Sequence, residues 1–179
     1  MLISTLISCG KAPRQNFFTG LDLDQDIMTQ LQTISVAVNT SSNHNILSFS
    51  GGTRPIKIVM VAPSQMNSSE GLSAIQGLDW QHATTLAQTR YLEYNCYVEV
   101  RNDIRQQMSY YHGNGTPELD RAIQLVILHE IGHCFGFGHA PDSDTDSLMN
   151  PLYQPSWANV TNYNNIIATF SNQLKGLSE

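Results

Sequence analysis

The chain has 179 residues, the size of one compact domain with a sizeable core. Hydrophobic residues make up 41% of the chain and charged residues only 13%, which excludes an intrinsically disordered protein. The net charge is -6 and no run of Lys or Arg occurs, so the sequence offers no surface for the phosphates of a nucleic acid.

The N-terminus carries a short apolar segment that ends in a cysteine. Within it, Leu6-Ile7-Ser8-Cys9 resembles the lipobox of bacterial lipoproteins, in which the signal peptide is removed and the cysteine receives a lipid. This resemblance implies a signal peptide over residues 1–8 and a tether over residues 9–20. It also implies an extracytoplasmic protein, either held to the bacterial envelope through Cys9 or secreted. The alternative is a frayed N-terminus with a stray cysteine.

The first half of the chain predicts one helix followed by strands. A helix is predicted over residues 21–38 from apolar residues spaced by three or four, which are Leu23, Ile27, Leu31, Ile34 and Val38. Residues 39–54 are rich in Ser, Asn and Gly and predict a loop. A β-branched run over residues 56–61 predicts a buried strand, and further strands are predicted over residues 83–88 and 95–100.

The second half predicts two helices after a turn-rich link over residues 109–115. Thr116 suits an N-cap and Pro117 suits the first helical position, so a helix begins sharply there. This helix is apolar on most sides and is predicted to be central and buried, until Gly136 and Gly138 end it. A closing helix is predicted over residues 161–174, with an inner face of Tyr163, Ile166, Ile167 and Phe170.

The central helix contains the pattern that carries chemistry. His129 and His133 are four residues apart, which places both imidazoles on one face of a helix, close enough to share one ion. Glu130 lies beside the first ligand and can take a proton from a water on that metal. Zinc is predicted because neutral imidazoles in a site with an open position are its usual catalytic ligands. His139 follows Gly136 and supplies a third imidazole.

The string from His129 to His139 has the spacing HExxHxxGxxH and resembles the zinc signature of the metzincins. The segment around Met149 resembles the Met-turn of that clan, and the stretch up to Pro151 is most similar to the matrixin branch. Two positions depart from the matrixin pattern: Ala140 replaces the usual Ser after the third histidine, and Asn150 replaces the Tyr of the usual turn.

The resemblance implies an α+β metzincin catalytic domain over residues 21–179. Its fold would be a twisted mixed sheet with a central zinc helix and a small C-terminal subdomain after Gly136. It implies a zinc-dependent endopeptidase with Glu130 as general base and a protein or peptide as substrate. The extended substrate would pair with an edge strand at residues 83–88. The pocket beyond the scissile bond would be walled by Leu152, Tyr153 and Trp157.

Other readings of the same features stay open. The chain could be a non-catalytic zinc-binding surface lipoprotein that binds a protein partner, or a zinc hydrolase acting on bonds other than peptide bonds. The alternating Asp142, Asp144 and Asp146 allow a calcium site, although nothing nearby supplies the remaining ligands and an acidic solvated loop is the commoner meaning. Cys96 and Cys134 could form a disulfide or remain buried thiols.

Three further histidines have no ligand-like spacing. They are His44, His82 and His112. Each is isolated in the sequence and is predicted to be a surface or hydrogen-bonded residue rather than a metal ligand.

Overall fold

The structure is a computed structural model that describes residues 16–50, 54–63, 86–92, 95–141, 144, 147–150 and 160–177. Within these ranges the strands are β1 (Asn16–Asp22), β2 (Leu47–Ser48), β3 (Arg54–Val61), β4 (Ala87–Leu92) and β5 (Asn95–Arg101). The α-helices are α1 (Gln25–Ser42), α2 (Ile104–His112), α3 (Pro117–Cys134) and α4 (Tyr163–Gly176). A short 3₁₀ turn, Val160–Asn162, leads into α4. The predicted α+β architecture around a central helix is confirmed.

The sheet has the strand order β2-β1-β3-β5-β4. Every neighbouring pair is parallel except β4 and β5, which are antiparallel. The sheet is therefore mixed, and β4 is an edge strand with one side unpaired within the sheet. Among the strands that the structure describes, none pairs with the outer side of β4, and such an edge leaves backbone groups available for pairing.

The core lies between one face of the sheet and the helices. Ile56 and Ile58 of β3, together with Val98 and Val100 of β5, are buried on this face. Their alternation with less buried neighbours is the period of two expected for a strand that packs on one side. The strand predicted over residues 95–100 is thereby confirmed, with Arg101 added. Helix α3 is buried on most sides, which confirms its predicted central position.

Helix α1 begins four residues later than predicted and ends four residues later. Asp24 is its N-cap, and the Asp24 carboxylate accepts a hydrogen bond of 2.8 Å from the main-chain N–H of Ile27. The predicted start at residue 21 was wrong because residues 21 and 22 belong to β1. At the other end, Asn43 takes a left-handed conformation with φ of 56° and stops the helix.

Several weakly patterned segments differ from their predictions. Strand β1 begins at Asn16, inside the segment predicted as a tether, and β2 lies inside the predicted loop of residues 39–54. Strand β4 covers Ala87–Leu92 where residues 83–88 were predicted, and residues 64–85 lie outside the described part of the chain. Helix α2 was missed, since its last residues were assigned to the turn-rich link.

Polar contacts between helices hold α3 in place. The Gln124 side chain of α3 donates to the Gln30 side chain of α1 at 2.6 Å, and both are buried. Near the start of α3, the Arg105 guanidinium binds the carboxylates of Asp26 and Asp120 at 2.6 and 2.7 Å. These contacts join α1, α2 and α3, so the helix that carries the histidines is fixed relative to the helices around it.

Among the helices that the structure describes, none combines the length and the hydropathy needed to cross a membrane.

Candidate metal centre and active site

The start of α3 is fixed by local chemistry. The Thr116 hydroxyl accepts a hydrogen bond of 3.2 Å from the main-chain N–H of Leu119, and Pro117 occupies the first turn, as predicted. Glu118 and Asp120 lie in the first turn, where the helix dipole favours negative charge. A helix anchored in this way runs without interruption to Cys134, so His129 and His133 lie one turn apart on the same face.

The end of α3 directs the chain back to the site. Gly136 has a φ of +90°, a conformation that favours glycine because it has no Cβ. The main-chain N–H of Gly136 donates to the carbonyl of His133 at 2.7 Å, and that of Phe137 donates to the carbonyl of Gly132 at 3.2 Å. This tight turn reverses the chain within three residues, so that His139 faces the histidines of the helix.

The three predicted ligands come together in the structure. The ring centroids of His129, His133 and His139 are 4.8 to 5.4 Å apart, and one ligand atom from each lies within 4.8 Å of the others. Within the described residues no other group of three metal-binding side chains was found. His129 is buried, His133 is half-buried and His139 is exposed, so the triad is open to solvent on the side of its third member.

The tautomers of two histidines are set by backbone carbonyls. Nδ1 of His129 lies 2.6 Å from the carbonyl oxygen of Leu148, and Nδ1 of His133 lies 2.8 Å from that of Phe137. A carbonyl oxygen can only accept, so each Nδ1 carries the proton and each Nε2 keeps its lone pair for a metal. Three imidazoles, two of which have their Nε2 lone pair freed in this way, are a donor set that fits zinc.

Burial keeps the first ligand neutral. It lowers the pKa of His129 to about 4, against the opposing effect of the hydrogen bond to the Leu148 carbonyl. Burial also lowers the pKa of His139, and the neighbouring His129 and His133 lower it further. A metal requires the unprotonated imidazole, so these two ligands are ready to bind near neutral pH.

Glu130 lies next to the triad in a partly buried position. Burial raises the pKa of its carboxyl group, while a hydrogen bond from Thr89 and the nearby His133 and His139 lower it in part. The Thr89 hydroxyl lies 2.7 Å from Oε2 of Glu130 and 2.8 Å from its main-chain oxygen. Thr89 was not foreseen from the sequence, because nothing along the chain connects a threonine of the edge strand with this glutamate.

Met149 lies against the part of α3 that carries His129 and His133. It is buried, and a Cβ added to Gly132 would lie 2.5 Å from the Met149 sulfur. The main-chain N–H of Ala140 donates to the Met149 carbonyl at 2.8 Å, which ties the turn to the residue after His139. Together with the carbonyl of Leu148, this turn holds two of the three ligands.

Cys96 and Cys134 form a disulfide, which decides between the two readings of these cysteines. Cys134 ends α3 directly after His133, and Cys96 lies on β5 beside the edge strand. The bond therefore fastens the ligand-bearing end of α3 to the sheet. The sulfur of Cys134 is thereby used in the disulfide, and the group that could hold a metal consists of the three histidines alone among the described residues.

Several predicted residues lie outside the described part of the chain. They are the pocket residues Leu152, Tyr153 and Trp157, the lipidation candidate Cys9, the loop residues Asp142 and Asp146, and the isolated His82. Of the remaining isolated histidines, His44 places its Nδ1 2.7 Å from the carbonyl of Ser42, as expected for a hydrogen-bonded residue. His112 ends α2 and is not part of the metal-binding group.

Comparison with known proteins identifies the family and supports the fold. A family model described as matrixin matches residues 21–166. The crystal structure of archaemetzincin from Methanopyrus kandleri is similar, with a TM-score of 0.50 and 14% sequence identity, covering 96% of this chain and 98% of that one. At this identity the likeness shows the fold, and the predicted zincin-like architecture is confirmed. The comparison with curated proteins gives no match.

Proposed function

We propose that this chain, which belongs to the matrixin family, is a zinc-dependent endopeptidase with Glu130 as its general base. The family and the histidine triad support a zinc metallopeptidase in general terms. The observation that carries the finer proposal is the position of Glu130. Its carboxylate is held by Thr89 next to three imidazoles, two of which point their Nε2 lone pairs away from the backbone.

The residues present can divide the work of hydrolysis. His129, His133 and His139 would hold one zinc ion, which would supply a Lewis acid that makes the attacking water more acidic and polarises the scissile carbonyl. Glu130 removes the proton from the attacking water and transfers it to the leaving amine. Because its surroundings are partly buried, the carboxyl is easier to protonate than a solvated one, which suits a group that must both accept and release a proton.

The substrate class follows from the edge strand. No described strand pairs with the outer side of β4, whose main-chain donors and acceptors could pair with any extended peptide regardless of its side chains. Thr89 of this strand contacts Glu130, so a peptide lying along β4 passes close to the general base. We therefore assign proteins or peptides in extended conformation as substrates, cleaved within the chain rather than at an end.

The test is cleavage of a diverse peptide library by the zinc-loaded protein. Glu130→Ala should reduce cleavage by a factor of about 10² to 10⁴, the usual contribution of a general base. His44→Ala is the matched control, since His44 lies outside the triad and should leave cleavage unchanged. A chelator should abolish the activity of the parent, and added zinc should restore it.

The opposite outcomes are also informative. Cleavage that is equally fast in the Glu130→Ala variant would exclude Glu130 as the base. If the parent binds one zinc ion and cleaves no peptide, the endopeptidase proposal fails and the non-catalytic zinc-binding protein takes its place. Zinc-dependent cleavage of another type of bond would instead identify the chain as a zinc hydrolase that acts on bonds other than peptide bonds.

Export from the cytoplasm belongs to the same proposal. The Cys96–Cys134 disulfide supports it, because structural disulfides persist mainly in oxidising compartments. The lipobox-like segment ending at Cys9 lies outside the described residues, so membrane tethering rests on the sequence alone. Mass spectrometry of the protein from the membrane fraction of its own cells would test it. A diacylglyceryl adduct on Cys9 is expected, and an unprocessed N-terminus would contradict it.

A further inference from the structure

The side chains of the edge strand β4 alternate between two faces of the sheet. Gln88 donates to the Glu99 carboxylate of β5, and Arg90 forms an ion pair of 3.2 Å with the same carboxylate. Thr89 lies between them and points to the opposite face, towards α3, because successive residues of a strand alternate. The contacts of Gln88 and Arg90 on the outer face therefore fix the strand around Thr89, whose side chain reaches the active site.

The Thr89 hydroxyl contacts two oxygen atoms of one residue. It lies 2.7 Å from carboxylate Oε2 and 2.8 Å from the main-chain oxygen of Glu130. A hydroxyl has one hydrogen, so it can donate fully to only one of these oxygens at a time. When Glu130 is ionised, the carboxylate is the stronger acceptor because the hydrogen bond is then assisted by charge.

We propose that Thr89 is a positioning residue whose hydroxyl holds the Glu130 carboxylate in the orientation needed for proton transfer. This inference rests on the proposed function of Glu130 as general base. A free glutamate side chain rotates about three bonds, and ordering it has an entropic cost. One hydrogen bond to Oε2 restricts that rotation, and a misplacement of about 1 Å can reduce turnover by about 10²-fold.

The same hydroxyl couples the base to the substrate strand. Its hydrogen bond to the carboxylate orients the side chain, and its approach of 2.8 Å to the main-chain oxygen shows that β4 packs directly against α3 at this point. A peptide paired with β4 is thereby placed at a fixed distance from Glu130. A threonine required only for the strand could be a valine, which has an equal or higher preference for strands and no hydroxyl to satisfy.

The experiment compares hydroxyl-free and hydroxyl-bearing variants. Thr89→Val keeps the shape and removes the hydroxyl, Thr89→Ala is a second hydroxyl-free variant, and Thr89→Ser keeps the hydroxyl. Thr33→Val is the matched control, because the Thr33 hydroxyl donates to a main-chain carbonyl on the exposed side of α1. The readouts are kcat and KM for a peptide substrate, zinc affinity by chelator competition, and crystal structures of the zinc-loaded proteins.

The expected result separates turnover from binding. In Thr89→Val and Thr89→Ala, kcat should fall by about tenfold to a hundredfold, the range that one hydrogen bond to a charged group is worth. KM and zinc affinity should stay within about twofold of the parent, and Thr89→Ser should recover kcat to within about threefold. The Glu130 carboxylate should keep one orientation in the parent and in Thr89→Ser, and should be displaced in Thr89→Val.

Three results would overturn the inference. One is a Glu130 carboxylate in the same single orientation in Thr89→Val, and another is a Thr89→Ser variant as slow as Thr89→Val. A loss of activity explained by weaker zinc binding would also overturn it. If the parent cleaves no peptide, the proposed function fails, and the crystal structures alone then decide: a displaced carboxylate in Thr89→Val supports positioning, and an unchanged one refutes it.

Discussion

Replacing Gly132 by alanine tests how closely the Met-turn packs beneath the ligand-bearing helix. Gly132 lies in α3 directly before His133. A Cβ at this position would lie 2.5 Å from the sulfur of Met149, and 3.2 Å from both the Met149 methyl carbon and a ring carbon of Phe170. Contacts below 3.0 Å are not tolerated, so Met149 or the helix must shift.

Two opposing effects set the size of the change. Alanine is more favourable than glycine within a helix by about 0.5–1 kcal/mol. Overpacking a filled core costs about 1–3 kcal/mol, and Met149 is buried while Phe170 is almost fully so. The difference between the two ranges is a loss of about 0–2.5 kcal/mol in the free energy of unfolding, with a central value of about 1.3 kcal/mol. At this central value the melting temperature of a protein of this size should fall by about 3–5 °C.

Thermal and urea unfolding of the metal-free protein would measure this loss. Gly176→Ala is the matched control, because Gly176 is also helical and nothing lies within 4 Å of its added Cβ. That variant should be neutral or more stable by up to about 1 kcal/mol. Zinc affinity should fall in Gly132→Ala, since the same turn holds His129 through the Leu148 carbonyl. An unchanged melting temperature together with unchanged zinc affinity would refute the reasoning.

Three further perturbations have defined outcomes. Reducing the Cys96–Cys134 disulfide, which spans 38 residues, should destabilise the metal-free protein by about 4 kcal/mol from loop closure; a difference below about 1 kcal/mol between oxidised and reduced protein in urea would contradict this. Arg105→Met should lower the free energy of unfolding by only about 1 kcal/mol, because the partners Asp26 and Asp120 are partly exposed. In urea unfolding at about 1 M salt this loss should become smaller. Zinc at about 100 times its Kd should stabilise the protein by about 2.7 kcal/mol in calorimetry, and a chelator should reverse the gain.

Segments with their own local signals were predicted well from the sequence. Helix α3 has a capping threonine, a proline in its first turn and a continuous apolar surface, so its start and its burial are both confirmed. Helix α4 carries an amphipathic stripe, and the predicted inner residues Ile166, Ile167 and Phe170 are buried. In these helices local preference and tertiary packing favour the same structure.

Segments that depend on partners were predicted poorly. Helix α2 buries only Ile104 and Met108 and has no side-chain cap, so its apolar pattern is only two residues long and its stability comes from packing against α3. Strand β4 is polar, and its register is set by pairing with β5 and by the bonds of Gln88 and Arg90 to Glu99. A single sequence contains the residues that form such contacts, but it does not show which residues contact each other in the fold.

The groups of the candidate site also differ in how well the sequence predicts them. The spacing of histidines on one helix and after one glycine is local information, and it sufficed to identify the triad. The groups that orient the triad are the carbonyls of Leu148 and Phe137, and a carbonyl occurs at every position of the chain. The hydroxyl of Thr89 is a long-range contact 41 residues from Glu130. Neither kind of partner leaves a mark in a single sequence.

Two consecutive residues of α3 are therefore held from different parts of the chain. His129 is oriented by the Leu148 carbonyl of the Met-turn, and Glu130 is oriented by Thr89 of the edge strand. The two supports come from separate elements, and neither contact involves the other residue's side chain. A change at Gly132 should thus act mainly on the metal ligands, whereas a change at Thr89 should act on the base at constant zinc affinity. Under the proposed function, metal binding and turnover would therefore respond to different substitutions, although His129 and Glu130 are neighbours in the chain.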